Sequence, residues 1–332
     1  MVFIYTCSQD TTSDLLVRHF ADTPIFRFNI DQRKDYNWDF SCRGFKMSNI
    51  KTGESIDSTT LTSFYLRKPL YVESIDIPKE GNLENWCREE IGELFRDFQR
   101  ECEASHLTAL VHSKNCHFGK IRQMRIAQNY FKVAKWHVFH GTLPSELMQG
   151  RWVAKALTGI PVGQGKMLFV KEVDPLKLDL FYPWFLQQKI DGEDEVTVVY
   201  VSGKLFAYRY PRMAIEKTSD VRLATHQDPS KWSPCSLSTA EQSAIRGFMA
   251  ETGYQFGRFD FIRKDGELWF LEMNPNGQWA WLDEKNENGL VSAIADAIIA
   301  EDRSRQRDSP VVSVHTMPKN RPGLSKRRFR II

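Results

Sequence analysis

Two carboxylates and an amide fall within fifteen residues of one another in the stretch GRFDFIRKDGELWFLEMNPNGQW, residues 257–279. They are Asp260, Glu272 and Asn274. Both sides of Lys264-Asp265-Gly266 alternate at period two, which predicts a β-hairpin. Two registers are open. With Asp265-Gly266 as a two-residue turn, Asp260 lies opposite Leu271 and on the other sheet face from Glu272. With a three-residue loop at 264–266 and Gly266 left-handed, Asp260 lies opposite Phe270, on the face of Glu272 and Asn274. The second register brings the Asp260 and Glu272 Cβ atoms within about 7–8 Å. Two carboxylates and an amide oxygen suit Mg²⁺, a hard cation completed by water and phosphate oxygens. Like charges held so close need such a cation, because otherwise a pKa rises. An acid/base pair for glycoside hydrolysis is the other chemical reading. It leaves Asn274 unexplained, and the lysines described below as well.

The elements that must position this hairpin follow from periodicity. VFIYTC (2–7), the helix TTSDLLVRHFA and PIFRFNI (24–30) read as strand, helix, strand, a parallel α/β opening. No Gly-rich loop follows the first strand, which excludes a dinucleotide fingerprint. SFYLRKP (63–69) is a further strand, stopped by Pro69. Helices are predicted over about 83–104, with Ile91, Leu94, Phe95, Phe98 and Cys102 on one face, and over about 118–129. WVAKAL (152–157) and MLFVKEV (167–173) pair around the loop TGIPVGQGK. FLQQKI and EVTVVYVSGKLFAYRY are strands with a Ser-Gly turn. Ser238 and Glu241 form a capping box for a helix that ends at Gly253. A last helix covers about 288–301.

The bulk numbers bound the rest. A chain of 332 residues, 42% hydrophobic, buries one large or two ordinary cores. There is no apolar run of about 18 residues to span a membrane. The opening MVFIYTCSQD lacks the basic-then-apolar build of a signal peptide. Six scattered cysteines with no C-x-x-C pair argue against a disulfide framework or a zinc site, so a reducing cytoplasm is the expected setting. A formal net charge of +3 gives no reason to expect nucleic acid. Charge is uneven, however: from Arg303 to Ile332 nine Lys or Arg stand against one Asp. That stretch reads as a solvated tail or as an arm for an acidic partner. The eight histidines are dispersed, His112 and His117 read as loop residues, and no Ser-His-Asp or Cys-His set is evident.

E-x-N-P-N-G-Q-W after an F-D-F strand resembles the C-terminal signature of ATP-grasp ligases, and more narrowly of the microviridin-type (graspetide) peptide synthetases. The likeness extends over most of the chain: TCSQDTTSDLLVRHF, FYLRKP, KIRQMRIAQNYFKV, RWVAKAL and FLQQKIDGEDEVTVVYVSGKLFAYRY all resemble segments of that family. It implies an α/β (α+β) ATP-grasp fold. A Rossmann-like pre-ATP-grasp domain would occupy 1–105, a central subdomain 106–185 and a C-terminal subdomain 186–302, before a basic tail at 303–332.

The resemblance also implies roles. Lys120 and Lys155 match the lysines that hold ATP phosphates, with Lys114 a rival for Lys120. Gln187, Gln188, Lys189 and Ile190 match the hinge that reads adenine, and Glu195, or else Asp194, would meet the ribose. Gly163 and Gly165 belong to the loop that closes over phosphates. Asp260, Glu272 and Asn274 match the Mg²⁺ ligands, so ATP and Mg²⁺ are the implied cofactors. Asn276 and Gln278 are candidates for substrate contact. The family often carries an arginine after the hinge in an E-L-R-V setting, where this chain has Glu195-Val196-Thr197-Val198. Arg212, Arg222 or Arg258 are the candidate substitutes. The implied reaction activates Asp or Glu side chains of a precursor peptide as acyl phosphates and joins them to Ser, Thr or Lys. The peptide's leader would dock beside the central strands, and a homodimer is the implied assembly. A glutamylating-type amino-acid ligase is the alternative, and a nucleotide-binding regulatory module without turnover is the second.

Overall fold

The computed structural model describes residues 1–20, 23–67, 82–105, 110, 119–157, 170–212 and 229–308. The chain opens with β1 (Val2–Thr6), α1 (Thr11–His19) and β2 (Ile25–Asn29). After β2 come three short strands, β3 (Tyr36–Ser41), β4 (Gly44–Asn49) and β5 (Ser55–Asp57), and then β6 (Ser63–Leu66). β1 pairs parallel with β2 on one side and with β6 on the other, as the strand-helix-strand opening implies. The three-stranded meander β3-β4-β5 has no counterpart in the sequence reading. Its strands are short and half polar, but Trp38, Phe40, Phe45 and Met47 still alternate toward one side. They pack with the helix α2 (Asn82–Ala104) over the parallel sheet. Phe95 of α2 is central to this cluster, with ring centroids 5.0 Å from Phe28, 5.3 Å from Tyr5 and 5.5 Å from Trp38.

The next helix, α3 (Lys120–Ala127), leads to β7 (Lys132–Val133) and β8 (Trp136–Phe139). β8 then joins β9 (Trp152–Lys155), β10 (Lys171–Val173) and β11 (Trp184–Gln188) in an antiparallel sheet of order β10-β9-β11-β8. The second antiparallel hairpin, β12 (Asp194–Val201) and β13 (Lys204–Pro211), begins a six-stranded sheet. Its other members are β14 (Ser233–Pro234), β15 (Phe256–Lys264), β16 (Glu267–Asn274) and the earlier β7. Between β14 and β15 runs α4 (Thr239–Thr252). The predicted capping box is present: Ser238 N donates to Glu241 Oε2 at 2.7 Å, and Glu241 N to Ser238 Oγ at 3.2 Å. Gly253 ends the helix in the left-handed conformation, as expected.

The last helix, α5 (Leu290–Asp308), runs seven residues beyond the predicted end at about 301. Its Leu290, Val291, Ile294 and Ile298 lie in one core with Val2, Ile4 and Tyr65 of the N-terminal sheet, Leu16 of α1, and Val199, Val201 and Phe256 of the six-stranded sheet. This helix therefore ties the two ends of the chain together. Replacing Phe95 with Ala is expected to cost about 3–5 kcal/mol, by analogy with other large-to-small core changes. The fall in the urea midpoint, at unchanged slope, measures it.

Candidate active site

The acidic hairpin forms, but neither predicted register describes it. Lys264 pairs with Glu267, so Asp265 and Gly266 make a two-residue turn, both with positive φ (52° and 77°). That is the mirror-image turn whose twist suits a hairpin. Counted from this turn alone, Asp260 would face Leu271. A β-bulge intervenes between Asp260/Phe261 on one strand and Phe270/Glu272 on the other, leaving Leu271 without a partner. The extra residue restores Asp260 to a position directly opposite Glu272, and Arg258 opposite Asn274. The shared face anticipated for Asp260, Glu272 and Asn274 is reached through a bulge, and not through a three-residue loop.

Core packing decides which way this face points. Val196, Val198, Phe259, Phe261, Phe270 and Met273 fill the opposite side of the sheet, under Met124 and Ala127 of α3 and Ile245 and Phe248 of α4. Alternation then turns Glu195, Thr197, Arg258, Asp260, Glu272 and Asn274 to the other side. Apolar clusters flank them there: Val199 belongs to the core under α5, and Ile262 packs with Ala134 and Ile190. The face is thus a polar floor between two apolar walls. α3 lies against β16, the last long strand on this side of the sheet. β7 covers β16 only at Trp269 and Phe270. Further along, the buried Gln123 takes over, accepting from Met273 N (2.9 Å) and donating to Met273 O (2.6 Å).

Lys120, three residues earlier on α3, reaches Glu272 Oε2 at 3.3 Å and donates to Ala156 O at 2.8 Å. It bridges the six-stranded floor and the strand β9. Lys155 ends β9 and donates to Gln187 Oε1 on β11. Asp260 is held on both oxygens, Oδ1 by Thr197 Oγ1 at 3.0 Å and Oδ2 by Arg258 at 2.8 Å. Glu195, 7% exposed, pairs with Arg212 at 2.5 Å.

Electrostatics explain why the two carboxylates can face each other. At about 5 Å, two unit charges repel by roughly 3 kcal/mol at an effective dielectric of about 20. Three cations offset this. Burial pushes the Glu272 carboxyl up, but Lys120, Lys155 and Arg258 together outweigh it and hold the group below its ordinary value. Lys155 moves the other way. Burial depresses its ammonium to about 8, with Lys120 adding to the effect while Glu272, Glu195 and Asp260 oppose it.

The donor set fits a hard divalent cation: the carboxylates of Asp260 and Glu272 stand opposite each other, with Asn274 on the same face. Among the described residues no group of three or more His, Cys, Asp or Glu side chains is placed to hold a metal. A cation here would therefore take two protein carboxylates and an amide, and its remaining ligands from water and a ligand's own oxygens, as Mg²⁺ does at phosphate sites. Two buried donors at the site, Gln187 Nε2 and Arg258 Nε, have no hydrogen-bond partner among the described residues. An anionic ligand drawn in by Lys120, Lys155 and Arg258 suits both.

Other anticipated site residues are placed differently. The Gln188 N–H goes to Lys135 O and the Lys189 N–H to Arg151 O, each at 2.8 Å, so those two hinge donors are taken. The Lys189 ammonium is 2.7 Å from Glu172, within an ion cluster shared with Arg151. Ile190 lines the apolar wall. Asp194, the alternative to Glu195, faces Arg209 at 3.7 Å. Arg212, a candidate for the missing family cation, is committed to Glu195, whereas Arg258 shares the acidic face. Asn276 and Gln278 give their side-chain oxygens to Arg67. Lys114, Gly163, Gly165 and Arg222, with His112 and His117, lie outside the described residues. Arg67, Gln123 and Gln187's contact with Lys155 had no distinct signal in the sequence.

A four-stranded and a six-stranded sheet carry the lysines and the acidic face, and the chain has the ATP-grasp fold of the solved structures it superposes on. An ATP-grasp ligase from Chryseobacterium gregarium associated with ribosomal peptide modification, solved with ADP and a leader and core peptide, superposes with a TM-score of 0.71 at 19% identity, over 90% of this chain and 96% of that one. The macrocyclase MdnC of Microcystis aeruginosa, bound to precursor peptide MdnA, gives 0.73 at 17%, over 90% and 99%. The ATP-grasp ligase PsnB, with minimal precursor, Mg and ADP, gives 0.61 at 13%, over 91% and 98%. No protein-family model and no curated protein sequence matches the chain.

Because Lys155 loses its charge as pH rises through about 8, affinity for a polyphosphate anion, probed with inorganic tripolyphosphate, is expected to fall across that pH in the parent protein. In Lys155→Arg the fall moves out of the range, since guanidinium stays protonated. Calorimetric titration between pH 7 and 9 measures both.

Proposed function

We propose that the protein is an ATP-dependent carboxylate ligase acting on a ribosomally made precursor peptide, with Mg²⁺ as its metal. One observation carries the reading: Asp260 stands directly across from Glu272 on a face that also presents Asn274, with Lys120 and Lys155 above it. Two carboxylates and two lysines are what a Mg²⁺–polyphosphate needs. The structural neighbours support the substrate class, since those solved with a peptide carry a leader, core or precursor segment. The reading also divides the chain near residues 105 and 185, with 303 onward a basic tail, and gives Gly163 and Gly165 to the loop over the phosphates.

When bound, Mg²⁺ supplies Lewis-acid neutralisation of phosphate charge. Asp260, Glu272 and Asn274 would hold it. Lys120 and Lys155 clamp phosphate oxygens as compact charges. Arg258, fixed beside Asp260, takes the place of the cation absent at Thr197, and Thr197 instead orients Asp260. Arg212 and Arg222 are the remaining candidates for that place. Gln187 to Ile190 border the adenine and Glu195 the ribose. A peptide carboxylate oxygen attacks the γ-phosphorus, the bond to ADP breaks, and an acyl phosphate forms. A Ser or Thr hydroxyl, or a Lys amine, then attacks the acyl carbon and gives up its proton as phosphate leaves. The product is an ω-ester or ω-amide crosslink within the peptide. The protein's contribution is alignment and preorganised charge.

The test combines turnover with mass. With ATP, Mg²⁺ and an acidic precursor peptide rich in Thr or Lys, ADP release is expected, and the peptide loses one water per bond. Asp260→Asn and Glu272→Gln should each slow ADP release by about 100-fold or more, the scale of losing a main electrostatic contact. A gain of a residue's mass would instead point to a glutamylating ligase. Equal release by mutants and parent overturns the metal assignment, and ADP release that no peptide or amino acid stimulates overturns the ligase reading.

A further inference from the structure

Arg67 follows β6 at the carboxyl end of the parallel sheet, and its side chain is wholly buried (0% exposed). A guanidinium removed from water is costly unless its donors find acceptors. Among the described residues those acceptors are neutral: Asn276 O at 3.0 Å, Asn276 Oδ1 at 2.5 Å, and Gln278 Oε1. Thr12 at the start of α1 donates to the same Gln278 oxygen at 3.1 Å. The N-terminal sheet thus grips the loop that follows the acidic strand, across 209 residues of sequence.

Two routes lead from this grip into the donor set. Asn276 N donates to Asn274 Oδ1 at 3.0 Å, which fixes the rotation of that amide. Gln278 O accepts from Arg258 Nη1 at 3.1 Å, and Arg258 Nη2 holds Asp260 Oδ2 at 2.8 Å. Gly277 between them is pressed on Arg258: a Cβ there would come within 2.6 Å of the arginine's own Cβ. Trp279 is fully buried in the core under α5, so the loop cannot swing away. One planar, forked cation therefore braces Asn274 through Asn276 and Asp260 through Gln278 and Arg258. A lysine, as a single point charge, cannot hold both ends of that fork.

We infer that Arg67 is a positioning residue for the divalent cation: the metal donors are set from the N-terminal sheet, through the Asn-Pro-Asn-Gly-Gln loop. The inference rests on the reading of Asp260, Glu272 and Asn274 as metal donors.

The test reads metal binding, not turnover. Mn²⁺ affinity of the full chain with ADP is measured by electron paramagnetic resonance, and ADP affinity by calorimetry in EDTA. In Arg67→Met, Mn²⁺ binding is expected to weaken about 10-fold or more, while metal-free ADP affinity stays within about twofold. Arg67→Lys should fall between parent and Arg67→Met. Asn276→Ala, which cuts one route without emptying the core, should weaken Mn²⁺ by a smaller factor and serves where Arg67→Met does not fold. Parental Mn²⁺ affinity in folded Arg67→Met, or in Asn276→Ala, overturns the inference. So does an equal loss of metal-free ADP binding, the mark of a purely structural role. Glu272→Gln runs alongside: if it too keeps parental Mn²⁺ affinity, the donor-set reading fails, and not merely the brace.

Discussion

Two carboxylates facing each other across neighbouring strands are the constraint around which this molecule is arranged. Asp260 and Glu272 repel, and a sheet would not keep them opposed without compensation. The surroundings supply it from every side: Lys120 from a helix, Lys155 from the facing sheet, Arg258 from the same strand, and a hydroxyl from Thr197. Removing one partner from such a half-buried set leaves a charge uncompensated. The cluster is a poor way to stabilise a strand and a good way to hold a cation and a polyphosphate.

The cations and the carboxylates come from separate sheets. Lys155 stands on the four-stranded sheet and Glu272 on the six-stranded one, and Lys120 touches both. The site's charge balance therefore depends on how those sheets sit. α5, buried against both the N-terminal and the six-stranded sheets, fixes one side of that arrangement. Burial of the Lys155 ammonium, which brings its pKa to about 8, belongs to the same geometry.

Much of this was legible in the sequence. The capping box at Ser238, the glycine stop at Gly253 and the parallel opening are local signals, and local physics produced them. The hairpin was legible too, but its register was not. A two-residue Asp-Gly turn by itself would have separated Asp260 from Glu272. The bulge at Leu271 reverses that, and its only trace is the run of four apolar residues, Leu268 to Leu271, that interrupts the alternation. The meander at 36–57 has no clear sequence signal because half of each strand faces solvent, and its apolar half is recruited by Phe95 and Phe98 from a distant helix. Arg67 could not be read at all, since its partners lie more than 200 residues away. Structural neighbours below 20% identity share the fold with this chain, so what persists across them is the arrangement of sheets rather than the sequence that makes it.

The central claim is that the opposed carboxylates bind nucleotide through a divalent cation. Calorimetric titration of ADP into the purified protein, with Mg²⁺ and again with EDTA, addresses it most directly. ADP is expected to bind markedly tighter with Mg²⁺, and the difference should vanish in Asp260→Asn. Equal affinity with and without Mg²⁺ in the parent protein would contradict the account.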